Sequence, residues 1–152
     1  MTEPLLMKRI PKPLLGSAEF EQFVERGGGK VTPATVHRLA VLLPELREKF
    51  TSIQAPGFPK APAQFEFLAR VVDAVAGDSY RDLSYAAIGE AAFALLYLAR
   101  DVDIIPDCVE GVGYLDDAAV AAAVIARNAA EFADFASHTG CDFAALGSAK
   151  TR

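Results

Sequence analysis

The sequence predicts an all-α protein, a single domain of about five helices. Its centre is an antiparallel helical hairpin, about 83–100 and 116–138, joined by an acidic turn rich in proline and glycine. Three observations predict this. Apolar residues recur at i, i+3, i+4 and i+7 over several stretches, no segment shows the period-two alternation of a half-buried strand, and proline, glycine and capping residues stand where those stretches begin and end. A chain of 152 residues is one domain's worth of material, able to bury roughly 68–70% of the surface its unfolded form exposes without disulfide or metal staples. No internal repeat is present.

Along the chain, residues 1–16 read as an extended arm, because Pro4, Pro11 and Pro13 block helix propagation. The helical domain follows over 17–140, and 141–152 form a tail. Ser17 can cap a first helix, about Ala18 to Arg26, whose apolar side carries Phe20, Phe23 and Val24; Gly27, Gly28 and Gly29 are expected to end it. Thr32 followed by Pro33 is a helix start, with an N-cap and proline at the first helical position. Val36, Leu39, Ala40, Leu43, Leu46 and Phe50 then recur at helical spacing, with Pro44 expected to kink or split the helix. Gln54 to Pro62 reads as a loop. From Pro62 to Ala76 the stripe Phe65, Leu68, Ala69, Val72, Val75, Ala76 predicts a helix stopping at Gly77.

The fourth helix, about Leu83 to Arg100, is apolar nearly all round apart from Glu90, which predicts a central position covered on most sides. The last begins near Asp116, runs to about Ser137 or His138 and stops at Gly140. Ala118, Ala122, Ala126 and Ala130 form a ridge at four-residue steps that allows a close helix neighbour, and the small face at Ala87 and Ala91 makes the fourth helix the natural one. The same ridge suits self-association.

Composition excludes several functions. With 15 Lys plus Arg against 20 Asp plus Glu, a net charge of −5 and 52% hydrophobic residues, the chain is neither disordered nor suited to nucleic acid, whose binding draws on clustered cations. Cys108 and Cys141 have no partner pattern for zinc or redox chemistry. Met1 to Pro13 does not read as a secretory signal, and the longest strictly apolar runs fall short of the ~20 residues that span a bilayer. The expectation is a cytoplasmic protein.

One passage stands out. From Asp101 to Asp117 the chain holds six carboxylates, Asp101 and Glu110 together with the four in Asp103-Ile104-Ile105-Pro106-Asp107 and, further on, Gly113-Tyr114-Leu115-Asp116-Asp117. This passage resembles the signature of the YkvA-like family, a bacterial domain of unknown function, whose pattern is Pro-x-Asp-Leu-Ile-Pro-Asp-x-Ile-Pro-x-x-Gly-x-Leu-Asp-Asp between two hydrophobic helices. The likeness covers about Tyr97 to Val124 without gaps. It departs at Asp101 and Glu110, where the family has proline, so this turn is more acidic and less rigid. The resemblance implies a helical domain with a tight Pro-Asp turn and no established reaction; some members of the family look membrane-associated.

The motif residues Asp103, Pro106, Asp107, Gly113, Asp116 and Asp117 admit two readings. In the first they are structural. Asp103 takes backbone N–H groups as an Asx turn or cap, Pro106 fills a first helical position, Gly111 and Gly113 reverse the chain, and Asp107, Asp116 and Asp117 sit in first turns where the helix dipole favours negative charge. In the second, Asp103, Asp107, Asp116 and Asp117 converge, with Glu110 nearby, and hold a hard divalent cation such as Mg²⁺, Mn²⁺ or Ca²⁺. An EF-hand is excluded, since Pro106 stands at the sixth position and Val112 at the twelfth of a loop read from Asp101.

Other candidates fail. Gly27-Gly28-Gly29-Lys30 is no phosphate loop, because Val24 replaces the first glycine and Val31 follows the lysine. His37 and His138 stand alone, and no nucleophile triad can be assembled. Lys8, Arg9 and Lys12 beside Leu5, Leu6 and Ile10 could touch anionic lipid. The expected function is therefore a non-enzymatic interaction or scaffolding domain, engaging a protein partner or a second copy of itself. The alternatives are a divalent-cation site with or without hydrolase chemistry, and peripheral membrane contact.

Overall fold

Six α-helices and a short 3-10 turn form the described chain, and no strand occurs among the described residues. The computed structural model describes the backbone of residues 18–53, 55, 57–104 and 115–146, and their side chains except at 100–104, 115 and 116. Helix α1 spans Ala18–Gly29, α2 Pro33–Phe50, α3 Ala61–Ala76, α4 Tyr85–Ile104, α5 Leu115–Arg127 and α6 Ala129–Thr139, followed by the 3-10 turn Phe143–Leu146.

Helix α4 is the axis of the bundle, in contact with α1, α2, α3 and α5. Its residues explain this. Ala87, Ala91, Ala92, Ala94, Leu95 and Leu98 are all fully buried, and alanine on several sides of one helix lets neighbouring axes approach from several directions. Helix α3 packs between α2 and α4 through Phe65, Leu68, Ala69 and Val72, as its stripe predicts. Phe67 lies off that stripe and gathers Phe132 and Phe135 of α6 and Phe143 of the 3-10 turn, ring to ring at 5.6, 5.7 and 5.9 Å. The Gln64 side-chain amide, itself buried, donates to the Leu146 carbonyl at 2.7 Å and ties the end of the described chain to the core.

The all-α architecture agrees with the sequence, and the helix limits teach more than the agreement does. Thr32 caps α2 as expected, its hydroxyl accepting the Thr35 N–H at 3.2 Å with Pro33 next to it. Pro44 lies inside α2 without ending it. Gly140 closes α6 in the left-handed region at φ 81°. At the end of α3 the left-handed residue is Asp78, φ 61°, rather than Gly77.

The glycine run does not stop α1 at Arg26, because Gly28 is needed inside the helix: a Cβ there would meet Glu90 Cγ at 2.6 Å, and one on Gly89 would collide with the Gly28 carbonyl oxygen. Helices α1 and α4 thus meet backbone to backbone at Gly28 and Gly89, a close contact that the alanine ridge does not make. That ridge turns outward, with Ala118 buried, Ala122 half-buried and Ala126 and Ala130 exposed. Four-residue steps drift about 40° each around a helix, and the expected helix 116–138 is broken at Asn128 into α5 and α6.

Candidate functional site

The α5–α6 break has a polar cause. Glu90 is the single charge in the apolar half of α4, and it is 3% exposed. An ionised carboxylate in that position must be paired. Arg127, the last residue of α5, supplies the pair by donating from Nε to Oε1 and from Nη2 to Oε2, both at 2.9 Å. Asn128 adds a third bond, Nδ2 to Glu90 Oε1 at 3.0 Å, and bonds the Val124 carbonyl at 2.9 Å. The remaining Arg127 nitrogen, Nη1, donates to Glu21 of α1 at 2.8 Å. One guanidinium thereby joins α1, α4 and the end of α5. The hydrogen bonds to Glu90 first, then to Glu21, hold the Arg127 pKa above its already high ordinary value against the opposing effect of burial. This cluster is closed on itself and serves as a pin. The charge that reveals it in the sequence is Glu90, alone in an apolar helix.

A second contact across the bundle caps α4. Ser84 Oγ accepts the Ala87 N–H at 3.1 Å, and the Ser84 N–H in turn donates to Glu131 of α6 at 2.7 Å. Helix α6 is therefore held at both the start of α4 and the aromatic cluster of Phe67.

The acidic passage is reached in part. Helix α4 continues past Arg100, through Asp101 and Asp103, to Ile104, so the backbone of Asp103 lies in its last turn. Asp116 and Asp117 lie in the first turn of α5, which begins at Leu115, where negative charge meets the positive end of the helix dipole. Asp117 is fully buried. Pro106, Asp107, Gly111 and Gly113 lie outside the described residues, as do the side chains of Asp103 and Asp116, so the convergence of Asp103, Asp107, Asp116 and Asp117 lies outside them too. Cys108, Glu110 and the Lys8, Arg9, Lys12 arm also fall outside. Among the described residues no group of three or more His, Cys, Asp or Glu side chains is arranged to hold a metal.

The remaining candidates resolve into packing. Gly27 to Gly29 lie at the C-terminal end of α1, whose partial negative charge disfavours phosphate. His138 lies against the Tyr80 ring, centroids 5.1 Å apart. Cys141 is a half-buried free thiol. An open cleft lined by Arg47, Glu66, Arg70, Asp73, Ser79, Phe135 and Thr139 has its charges turned on one another. Arg47 Nε donates to both Glu66 oxygens at 3.1 and 3.2 Å, and its Nη1 meets Asp73 at 3.0 Å. Burial works against the Arg47 charge, but the bonds to Glu66 and Asp73 outweigh it and raise its pKa. This cation joins α2 to α3.

What the packing leaves outward is a face of α2. Val36, Leu39, Leu43, Leu46 and Phe50 are buried, and Val41 stands roughly 180° around the helix from them at 100° per residue. Val41 is 78% exposed and its neighbour Leu42 46%. Ala34, Arg38, Pro44, Glu45 and Glu48 surround them, all exposed. Pro44 adds a further apolar ring and has no N–H to give the Ala40 carbonyl one turn earlier. The sequence signal for this face is two strongly apolar residues, Val41 and Leu42, off the buried stripe.

The model of a family described as "Protein of unknown function (DUF1232)" matches residues 87–123. The matched stretch covers most of α4, the acidic passage and the first two turns of α5. No curated protein and no solved structure matches the chain.

Proposed function

We propose that this helical chain is a non-enzymatic interaction or scaffolding domain and that the outer face of α2 is its contact surface. The observation that carries the reading is Val41, a β-branched apolar residue held 78% exposed at the point of α2 farthest from the core. A single exposed apolar residue is ordinary on a protein surface. Val41 stands at the crest of this face with Pro44 on one flank and Leu42 on the other, and Arg38, Glu45 and Glu48 lie between them, so apolar and charged groups alternate across one small surface. The closed Glu90–Arg127 pin and the self-paired cleft charges give that face a firm base. The YkvA-like resemblance of residues 97–124 implies no established reaction and so fits a non-enzymatic reading.

The test places a photo-activatable cross-linking residue at Val41 in the full chain, with Glu25, exposed on α1, as the control position. The expected result is a discrete adduct from Val41 and none from Glu25. Equal or absent adducts would overturn the reading.

A second reading keeps the divalent cation at Asp103, Asp107, Asp116 and Asp117: Asp117 is fully buried in the first turn of α5, and four carboxylates converging there would have to bind a cation or take up protons. Chelator-stripped protein melted with Mg²⁺, Mn²⁺ or Ca²⁺ tests it. A ligand at a hundred times its dissociation constant adds about 2.7 kcal/mol to stability. A rise in melting temperature that Asp103→Ala abolishes supports the cation; no rise with any of the three removes it.

A further inference from the structure

The charges flanking Val41 on α2 are arranged in a self-complementary way. Arg38 lies three residues before Val41 and Glu45 four after it, both exposed. At 100° per residue these two fall on the same edge of the face, roughly 40–60° from Val41. If two copies of α2 meet antiparallel about a two-fold axis through Val41, that axis keeps each edge on its own side and reverses the direction along the helix. Arg38 of one copy then comes opposite Glu45 of the other, and the pair is made twice. On the opposite edge His37 meets Pro44, and along the centre Ala34 meets Glu48. No like charges are opposed. Such isologous pairing, in which residue i contacts j and j contacts i, is what a symmetric dimer requires.

We infer that the outer face of α2 binds a second copy of this chain, antiparallel, with Val41 at the centre, Arg38–Glu45 pairs along one edge and Leu42 just beyond that edge. The inference rests on the interaction reading above and supplies its partner. A contact confined to one helix face is smaller than the about 800 Å² per partner of a standard interface, so the dimer is weak and reversible.

Sedimentation equilibrium of the full chain over a range of concentrations tests this. The wild type is expected to pass from monomer toward dimer. Val41→Glu, at an exposed position that leaves the core untouched, should weaken the association about tenfold or more, with the melting temperature of the dilute monomer unchanged. Arg38→Glu alone and Glu45→Arg alone, which oppose like charges twice, should each weaken it roughly three- to tenfold, and the two together should restore it. A chain that stays monomeric at every concentration overturns the self-pairing, while a Val41 adduct with a different protein would still support the interaction reading. Dimerisation indifferent to Val41→Glu, or a double swap that does not restore it, overturns the inference as well.

Discussion

Removing the Glu90 carboxylate should cost several times more stability than removing Glu21 from the same cluster, and the structure sets the size of the effect. Glu90 is 3% exposed and accepts three hydrogen bonds, two from Arg127 and one from Asn128, at 2.9, 2.9 and 3.0 Å. Breaking one side of a buried ion pair typically costs about 3–5 kcal/mol, because the surviving charge is left desolvated. Here the survivor is Arg127, whose side chain is 24% exposed and keeps Glu21. Water therefore recovers part of the loss, and Glu90→Ala should cost about 2–4 kcal/mol. In a chain of this length that lowers the melting temperature by roughly 5–15 °C. Glu21→Ala removes one bond from a side chain 41% exposed and should cost about 1 kcal/mol or less. Urea unfolding of the two variants, of Arg127→Met and of the Glu90→Ala, Arg127→Met double variant closes a double-mutant cycle. The coupling between Glu90 and Arg127 should exceed about 1 kcal/mol. Equal small losses for Glu90→Ala and Glu21→Ala, or zero coupling, would refute the view of this cluster as the pin of the bundle.

Four further predictions concern packing, capping and pH. Gly89→Ala drives a methyl into the Gly28 carbonyl and should destabilise by about 1–3 kcal/mol, whereas Gly29→Ala, which meets nothing within 4 Å, should stabilise by about 0.4–1 kcal/mol; thermal melts of the pair decide it. Thr32→Ala removes the hydroxyl that accepts the Thr35 N–H and should cost about 1 kcal/mol in the same assay. The Arg81 hydrogen bond, then its charge, holds the Asp78 carboxyl below the ordinary 3.8. A depressed folded pKa means that this contribution to stability is present above the unfolded pKa and lost as pH falls through the folded one, in the acid window below about 4. NMR titration of the Asp78 carboxyl should show the low midpoint, and Arg81→Gln should return it to the ordinary value. Tyr80 moves the other way. Burial, then Asp82, Asp134 and Glu131, raise its phenol above 10.0, so its contribution is lost only at alkaline pH, and ultraviolet absorbance should follow its ionisation there.

The helices were readable wherever one local rule acted alone. Thr32-Pro33 and the stripe from Phe65 to Ala76 are set by capping and periodicity, and α2 and α3 form where those rules put them. Sequence reasoning failed where a distant contact decided the outcome. The Gly27 to Gly29 run looks like a stop signal, but its middle glycine is the notch in which Gly89 and Glu90 of α4 seat. The alanine ridge looks like a packing surface through residue 130, but Asn128 ends α5 to reach Glu90, thirty-eight positions back. Charge burial inside α4 was visible as the isolated Glu90, while its partners Arg127 and Glu21 were not, because nothing local distinguishes a pinned arginine from a solvated one. For the site, the motif from Asp103 to Asp117 carried the strongest pattern in the sequence. The exposed α2 face carried almost none, since Val41 and Leu42 are conspicuous only once the buried stripe beside them is known.

On the inference above, the outer face of α2 meets a second copy of this chain. Methyl NMR spectra of the full chain recorded from low to high protein concentration test that most directly. The methyl signals of Val41 and Leu42 should move progressively with concentration, while those of Leu39 and Leu43, buried on the same helix, stay fixed. Signals that do not move, or movement confined to residues away from α2, would contradict it.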